Sequence, residues 1–145
     1  TQIVGEFSER AEKNQLEMVV ECPQPPVEIY VDGRHLWRII DNLMGNICKY
    51  AQPGTRVYVT LETFHGMVIM TFRNISKDRL KMTSEELFGR FVRGDSSRNT
   101  EGHGLGLSIA KSLTELMHGN LAVQMDGDLF KVILSFEEYQ EDKKQ

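Results

Sequence analysis

Residues 101–110, Glu-Gly-His-Gly-Leu-Gly-Leu-Ser-Ile-Ala, place three alternate glycines directly before a segment with helical apolar spacing. That spacing predicts a helix beginning at the glycines, with apolar positions Leu105, Ile109, Leu113 and Leu116. Glycine lets the backbone approach a ligand closely, and the unpaired N–H groups at a helix start favour an anion. The stretch is therefore typical of a phosphate-binding turn, and a flexible loop before an ordinary helix is the alternative interpretation.

A second helix is predicted over 35–51, and its polar positions are unusual. Its apolar stripe consists of Leu36, Ile39, Ile40, Leu43 and Ile47. Asn42, Asn46 and Lys49 lie on a separate stripe about a quarter turn away. Asparagine is a poor helix former, so two of them in mid-helix carry a cost that a ligand would offset. Because an amide oxygen suits Mg²⁺ and a lysine suits phosphate oxygens, the stripe fits a metal–phosphate group; a solvated helix edge is the alternative.

The remaining periodic segments predict a helix over 3–14 and a set of strands. The strands are expected over 16–21, 27–31, 56–64, 67–74, 121–125 and 129–136. Hairpin turns are expected at His65-Gly66 and at Asp126-Gly127-Asp128. Residues 75–101 lack sustained periodicity, which indicates a long loop or lid, and a loop of this length in a compact domain favours a binding role.

Composition narrows the classes of function. The chain has 145 residues, a net charge of −4 and a pI of about 5.6, so it has no basic field that would attract nucleic acid. Cys22 and Cys48 lack metal-ligand spacing and are expected to be reduced thiols. No apolar run is long enough to span a membrane. We therefore expect one domain over 1–136, a charged, frayed tail over 137–145, no nucleic-acid partner and no direct membrane contact.

Three ordered motifs resemble those of the sensor histidine kinases. Residues 42–50, Asn-Leu-Met-Gly-Asn-Ile-Cys-Lys-Tyr, resemble the N box of that family. Residues 87–95, Leu-Phe-Gly-Arg-Phe-Val-Arg-Gly-Asp, are similar to the phenylalanine box, and residues 102–107, Gly-His-Gly-Leu-Gly-Leu, resemble the second glycine box. The resemblance extends over residues 3–136 and points to the catalytic ATP-binding domain of the superfamily that also includes gyrase, Hsp90 and MutL.

The resemblance implies a fold, two ligands and a biological context. The implied Bergerat fold is an α+β two-layer sandwich, in which a mixed, mostly antiparallel sheet of about five strands is covered on one face by about three helices. The implied ligands are ATP and Mg²⁺, held between the sheet, the N-box helix and a mobile lid. The implied activity is that of a protein-histidine kinase, with this chain as a cytoplasmic domain of a longer, membrane-anchored sensor. Its partners would be a separate phosphoacceptor and dimerisation domain and a downstream response regulator, and the isolated chain is not expected to autophosphorylate.

Matching the motifs residue by residue assigns roles around the phosphates and the base. Asn46 matches the magnesium ligand, Asn42 and Lys49 match phosphate contacts, and Tyr50 matches the aromatic residue beside the adenine. Together with Arg93, Asn46 and Lys49 form the expected catalytic set.

The resemblance also places the lid and its cations. The glycines match the lid hinge and the phosphate-facing turn, so the expected ATP contacts include Gly102, His103, Gly104, Leu105 and Gly106. Arg93 lies where a cation can reach the γ-phosphate and stabilise developing charge. Arg90 is a further candidate for that contact, and Arg98 is interpreted as a surface residue.

The first glycine box departs from the family pattern. The family places there an Asp that accepts a hydrogen bond from the adenine amino group, followed by two glycines, whereas residues 72–78 read Phe-Arg-Asn-Ile-Ser-Lys-Asp. Asn74 takes the place of the Asp, and Ser76 that of a glycine. An amide oxygen accepts without charge, and the amide can flip to present a donor. Losing this hydrogen bond would cost about 1–3 kcal/mol, or roughly one to two decades of affinity, so we expect weak ATP binding or a reshaped base site.

Two alternatives to the kinase follow from these residues. The departure at Asn74 and Ser76 also fits a degenerate nucleotide-sensing or scaffolding domain. An ATPase clamp is disfavoured because those relatives generally use a glutamate in the N box to activate water, and here Asp41 precedes Asn42 and no Glu is present.

Overall fold

The computed structural model describes residues 2–22, 29–77 and 103–139, of which 2–4 and 103–106 are described by their backbone alone. Within these ranges the elements are α1 (Gln2–Lys13), β1 (Glu17–Glu21), α2 (Gly33–Tyr50), β2 (Arg56–Phe64), β3 (Met67–Ile75), α3 (His103–Leu116), β4 (Asn120–Asp126) and β5 (Leu129–Glu137). The five strands form one sheet in the order β1-β2-β3-β5-β4. β1 is parallel to β2 and the other pairs are antiparallel. The predicted fold class is confirmed.

The helices pack on one face of this sheet. Alternate strand residues, such as Val57 in β2, Phe72 in β3 and Leu134 in β5, are buried together with apolar residues of α1, α2 and α3. This alternation follows from the two-residue period of a strand, which sends every second side chain to the same face. None of the described helices is both long and apolar enough to cross a membrane.

Most predicted boundaries are confirmed to within two residues. The hairpin between β2 and β3 turns at His65 and Gly66, whose φ angles are 50° and 78°, as a two-residue hairpin turn requires. The strand predicted over 27–31 is wrong in its described part, because Ile29 makes only an isolated bridge to Glu138. Ile29 and Val31 both pack against the core, and this packing produces the alternating pattern without a strand ladder. Residues 78–101 of the predicted lid lie outside the described residues.

α2 begins and ends where local chemistry dictates. Asp32 is its N-cap, and the Asp32 carboxylate accepts a hydrogen bond from the backbone N–H of Arg34 at 2.9 Å. Hydrogen bonds from Arg34 lower the pKa of this carboxyl. At the other end Ala51 leaves helical geometry while its N–H still donates to the Ile47 carbonyl at 2.8 Å. Four of the five predicted apolar positions are buried, namely Ile39, Ile40, Leu43 and Ile47.

The helical period of α3 is predicted correctly, and predicted Leu113 packs partly buried against the core, but predicted Leu116 is not on the buried face and the most buried positions are different ones. Leu107, Ala110 and Thr114 are fully buried, whereas Leu116 is 64% exposed. α3 packs against α2 and β4, and small residues permit close approach there. The Thr114 hydroxyl donates to the Ala110 carbonyl at 2.7 Å, so this buried polar group is satisfied within its own helix.

Gly119, between α3 and β4, tests the packing of this corner. A Cβ atom at Gly119 would lie 2.5 Å from Cε1 of Phe136 and 2.8 Å from the backbone oxygen of Ser135. The backbone oxygen cannot move aside without disturbing β5, so we expect Gly119→Ala to lower the free energy of unfolding by about 1–3 kcal/mol. Urea denaturation measures this loss.

The control for this variant is Gly5→Ala in α1, where a Cβ atom would meet nothing within 4 Å. Alanine is the better helix former there, so the free energy of unfolding should stay the same or rise. If Gly119→Ala is as stable as the parent chain, the close contact with Phe136 is wrong.

Candidate functional site

The C-terminal end of α2 is bonded to the end of β3. Ala51 and Ser76 form an antiparallel bridge, in which the Lys77 N–H donates to the Tyr50 carbonyl at 2.9 Å. Tyr50 and Asn74 are therefore carried on segments joined by backbone hydrogen bonds, although they are 24 positions apart in the chain. The predicted aromatic residue and the predicted base contact lie at the same edge of the domain.

The end of β3 is also held from its other side. The Ser76 N–H donates to the carbonyl of Asp128 at 2.8 Å, and Asp128 lies in the turn between β4 and β5. Asn74 is paired with Phe130 of β5. The sequence predicted a hairpin turn at Asp128 but no role in holding this edge, and a contact between such distant positions has no local signal.

The Asn74 side chain is buried with an unsatisfied acceptor. It lies on the helix-facing side of β3, in phase with buried Phe72, and it is 4% exposed. Its Oδ1 has no hydrogen-bond partner among the described residues. A buried acceptor left without a donor costs about 1–3 kcal/mol, so a donor from a ligand would relieve an existing penalty.

The polar stripe of α2 contains a second unsatisfied atom. Asn42 is half-buried, and its Nδ2 has no hydrogen-bond partner in the part of the chain that the structure describes. Asn46, one turn later, is 8% exposed, and Lys49 is exposed with its Nζ 5.6 Å from the centroid of the Tyr50 ring. The alternative of a fully solvated helix edge does not fit the burial of Asn42 and Asn46.

These atoms are complementary to the chemical groups of ATP. Asn42 Nδ2 is a donor, and phosphate oxygens accept; Asn74 Oδ1 is an acceptor, and the adenine amino group donates. Within 2–22, 29–77 and 103–139, no group of three or more His, Cys, Asp or Glu side chains is placed to hold a metal ion. A single amide ligand is nevertheless compatible with Mg²⁺, which commonly keeps water and substrate phosphate oxygens in its coordination sphere.

The second glycine box is described only in part. The backbone of α3 begins at His103, so Gly104 and Gly106 lie in its first turn. The first four N–H groups of an α-helix have no partner within the helix and are available to an anion. Gly102 and the predicted catalytic Arg93, together with Arg90 and Arg98, lie outside the described residues.

The site residues are accompanied by a sequence match to a known family. Residues 31–140 match the family described as histidine kinase-, DNA gyrase B- and HSP90-like ATPase. The chain belongs to this family. The ATP-binding fold expected from the three motifs is thereby confirmed, and membership of the ATPase family implies ATP binding.

Similar proteins place this ATPase-family domain among the sensor histidine kinases. Sensor histidine kinase HprS of Escherichia coli K12 is 39% identical over 106 residues, which cover 71% of this chain and 22% of HprS. Sensor histidine kinase RppB of Synechocystis is 31% identical over 137 residues, which cover 91% of this chain and 30% of RppB. The chain thus spans less than a third of either relative. The catalytic domain of histidine kinase ThkA has the same fold, with a TM-score of 0.77 at 19% identity, over 94% of this chain and 88% of that domain.

Asp41, the acidic residue directly before the N box of this ATPase-family domain, is engaged in another contact. Its carboxylate oxygen Oδ1 lies 2.7 Å from Nη1 of Arg10 in α1. The pair ties α1 to α2, and this structural contact disfavours a role for Asp41 in hydrolysis. The partner is 31 positions away in the chain, which explains why the sequence did not reveal it.

Two other features of the domain have no role in the predicted nucleotide site. A surface cleft of about 630 Å³ is lined by residues that include Glu12, Glu17 and Gly54, and none of the predicted ATP contacts lines it. Arg56 also lines the cleft, where it is paired with Glu17 at 3.3 Å, so the cleft offers phosphates no excess of positive charge. Burial raises the pKa of the Cys48 thiol in α2, so the thiol stays protonated at neutral pH and is a poor nucleophile.

Proposed function

We propose that this chain binds Mg²⁺–ATP along α2 and presents the γ-phosphate to a histidine of a separate phosphoacceptor and dimerisation domain. The observation that carries the proposal is the pair of buried, unpartnered atoms, Asn42 Nδ2 and Asn74 Oδ1. They lie on elements bonded to each other at Ala51 and Ser76. Their polarities match a phosphate oxygen and an adenine amino group, respectively.

Each proposed contact has its own chemical basis. Asn74 accepts from the adenine amino group, and Tyr50 packs beside the base. Asn42 and Lys49 donate to phosphate oxygens, and Asn46 supplies an oxygen to Mg²⁺. The N–H groups at the start of α3, beginning at His103, add further donors for phosphate.

Phosphoryl transfer on this domain requires positioning and charge stabilisation. A lone pair of the acceptor imidazole nitrogen forms the new N–P bond while the bond from the γ-phosphorus to its bridging oxygen breaks, and ADP leaves with that electron pair. Bound Mg²⁺ neutralises charge on the phosphate oxygens. Lys49 and Arg93 hold the transferring group in line and stabilise developing charge.

In this proposal a longer protein that contains this domain supplies the acceptor histidine. Because the relatives are sensor histidine kinases, we propose that this domain belongs to a full-length, membrane-anchored sensor and lies in the cytoplasm. Its own dimerisation domain provides the acceptor histidine, and a downstream response regulator receives the phosphoryl group.

Calorimetric titration and a phosphorylation assay test this function together. We expect saturable binding of Mg²⁺–ATP and of an uncleavable ATP analogue, and no stable transfer of labelled γ-phosphate to the isolated chain, because it lacks the acceptor domain. Addition of the dimerisation domain of the full-length protein should produce a labelled, acid-labile phosphohistidine on that domain.

The contrary results separate the alternatives. Absence of saturable binding at millimolar nucleotide would favour the scaffolding domain. Steady ATP hydrolysis that Asp41→Asn abolishes would favour an ATPase clamp, and stable label on the isolated chain would contradict the division of labour between two domains.

A further inference from the structure

The Asn74 side chain has a fixed position, but no hydrogen bond holds its amide oxygen. Its backbone is held in β3, opposite Phe130 of β5, and the strand end is bonded to Asp128 through Ser76. The side chain is 4% exposed, and its Oδ1 has no hydrogen-bond partner among the described residues. No hydrogen bond within the described part of the chain therefore holds the Asn74 oxygen in the orientation seen in the structure.

The 6-position of a purine distinguishes two classes of nucleotide by hydrogen-bond polarity. Adenine has an amino donor at position 6 and an acceptor at N1, whereas the 6-oxopurines hypoxanthine and guanine have a keto acceptor at position 6 and a donor at N1. An amide carries one acceptor and one donor, and rotation by about 180° exchanges them. One buried Asn can therefore match either base edge.

An aspartate at the same position would behave differently. An ionised carboxylate only accepts, so it pairs with the adenine amino group and is repelled by a keto oxygen. Rejection of a partner by opposed acceptors is a source of specificity as important as the attractive contact. The Asn in place of the usual Asp removes this repulsion without removing the acceptor.

Building on the proposed nucleotide site, we infer that this domain binds 6-oxopurine nucleoside triphosphates as well as ATP, with Asn74 as the residue that relaxes the specificity. The dissociation constants of Mg²⁺–ITP and Mg²⁺–ATP differ by about tenfold or less. The substitution Asn74→Asp restores discrimination, and raises the preference for ATP over ITP by about 10- to 100-fold, the range expected of one well-placed polar contact to a base edge.

The experiment is a calorimetric titration of the parent chain with Mg²⁺–ATP, Mg²⁺–ITP and Mg²⁺–GTP. ITP is the decisive probe because, unlike GTP, it adds no amino group at position 2. The same titrations are then made with Asn74→Asp. The matched control is Asn120→Asp, which introduces the same charge at an exposed position of β4; Asn120 pairs with Ser135, about 17 Å along β5 from the partner of Asn74. We expect its ITP-to-ATP ratio to equal that of the parent.

The possible results distinguish failure of the 6-oxopurine inference from failure of the proposed function. If the unsubstituted chain binds ATP but binds ITP more than about tenfold less tightly, the inference is overturned and the proposed function stands. If the parent binds none of these nucleotides, the proposed function itself fails. Because the decisive ratio is measured on the parent chain, the inference can be overturned even if Asn74→Asp does not fold, and an unchanged ratio in a folded Asn74→Asp would also overturn it.

Discussion

Substitution of Asn46 by Ala is expected to weaken the binding of ATP in the presence of Mg²⁺ by about 100-fold, the upper end of the losses caused by removing groups that merely orient metal ligands. Asn46 is 8% exposed in the middle of α2, so water has little access to replace the lost amide oxygen. The affinity for ATP in EDTA should change much less, because the remaining proposed contacts do not involve the metal. Titration calorimetry with and without Mg²⁺ measures both effects.

The matched control for Asn46→Ala is Asn120→Ala, which removes the same atoms from an exposed position of β4. Its nucleotide affinity should equal that of the parent. Circular dichroism and thermal melting of the ligand-free variants establish that Asn46→Ala retains the fold. Equal losses with and without Mg²⁺ would show that Asn46 acts through phosphate or packing, and unchanged binding would contradict its assignment altogether.

Local periodicity predicted α2 almost completely because its signals lie within the helix itself. Its apolar residues from Ile39 to Ile47 form one buried face, and the helix is capped at Asp32 and Ala51. The β2–β3 hairpin is equally local, since His65 and Gly66 supply the positive φ angles that the turn needs. The structure of such elements is determined by consecutive residues, so it can be predicted from a single sequence.

The predictions were wrong where packing against another element determines which residues are buried or paired. In α3 the period predicts a helix, but the close approach of α2 and β4 selects the face with Leu107 and Ala110. The segment at Ile29 and Val31 alternates like a strand because both residues reach the core, but among the described residues its pairing is limited to the single bridge from Ile29 to Glu138, just beyond β5. A single sequence reveals the period of an element but not what covers it.

The candidate site divides in the same way. Asn42, Asn46 and Asn74 were predicted as site residues directly from the sequence motifs. Burial of the unpartnered Asn74 oxygen could not be deduced, because it depends on packing under the helices. The bridge between Ala51 and Ser76, which brings the base end to α2, joins residues 25 positions apart and leaves no local pattern.

Substitution of Phe72 by Ala should cause the largest loss of stability among the predicted variants. Phe72 lies in β3, the central strand of the sheet, is 3% exposed, and pairs with Val59 of β2 and Val132 of β5. Removing the ring leaves a cavity that the flanking strands cannot close, so we expect the free energy of unfolding to fall by about 3–5 kcal/mol. A typical domain has about 5–15 kcal/mol in total, so urea denaturation would show a large shift of the midpoint.

The matched control for Phe72→Ala is Phe64→Ala, at the hairpin end of the neighbouring strand β2, where the residue is 62% exposed. The same atoms are removed, but water already contacts most of them, so the loss should be about 1 kcal/mol or less. Equal losses in the two variants would contradict the placement of Phe72 in the core.

Phe72 is also two residues from Asn74 on the same face of β3, so its removal tests whether core packing positions the proposed base contact. If the site survives, nucleotide at 100 times its dissociation constant should restore about 2.7 kcal/mol to Phe72→Ala, as it would in the parent; a smaller recovery at the same nucleotide concentration would show that packing of the core positions the base contact.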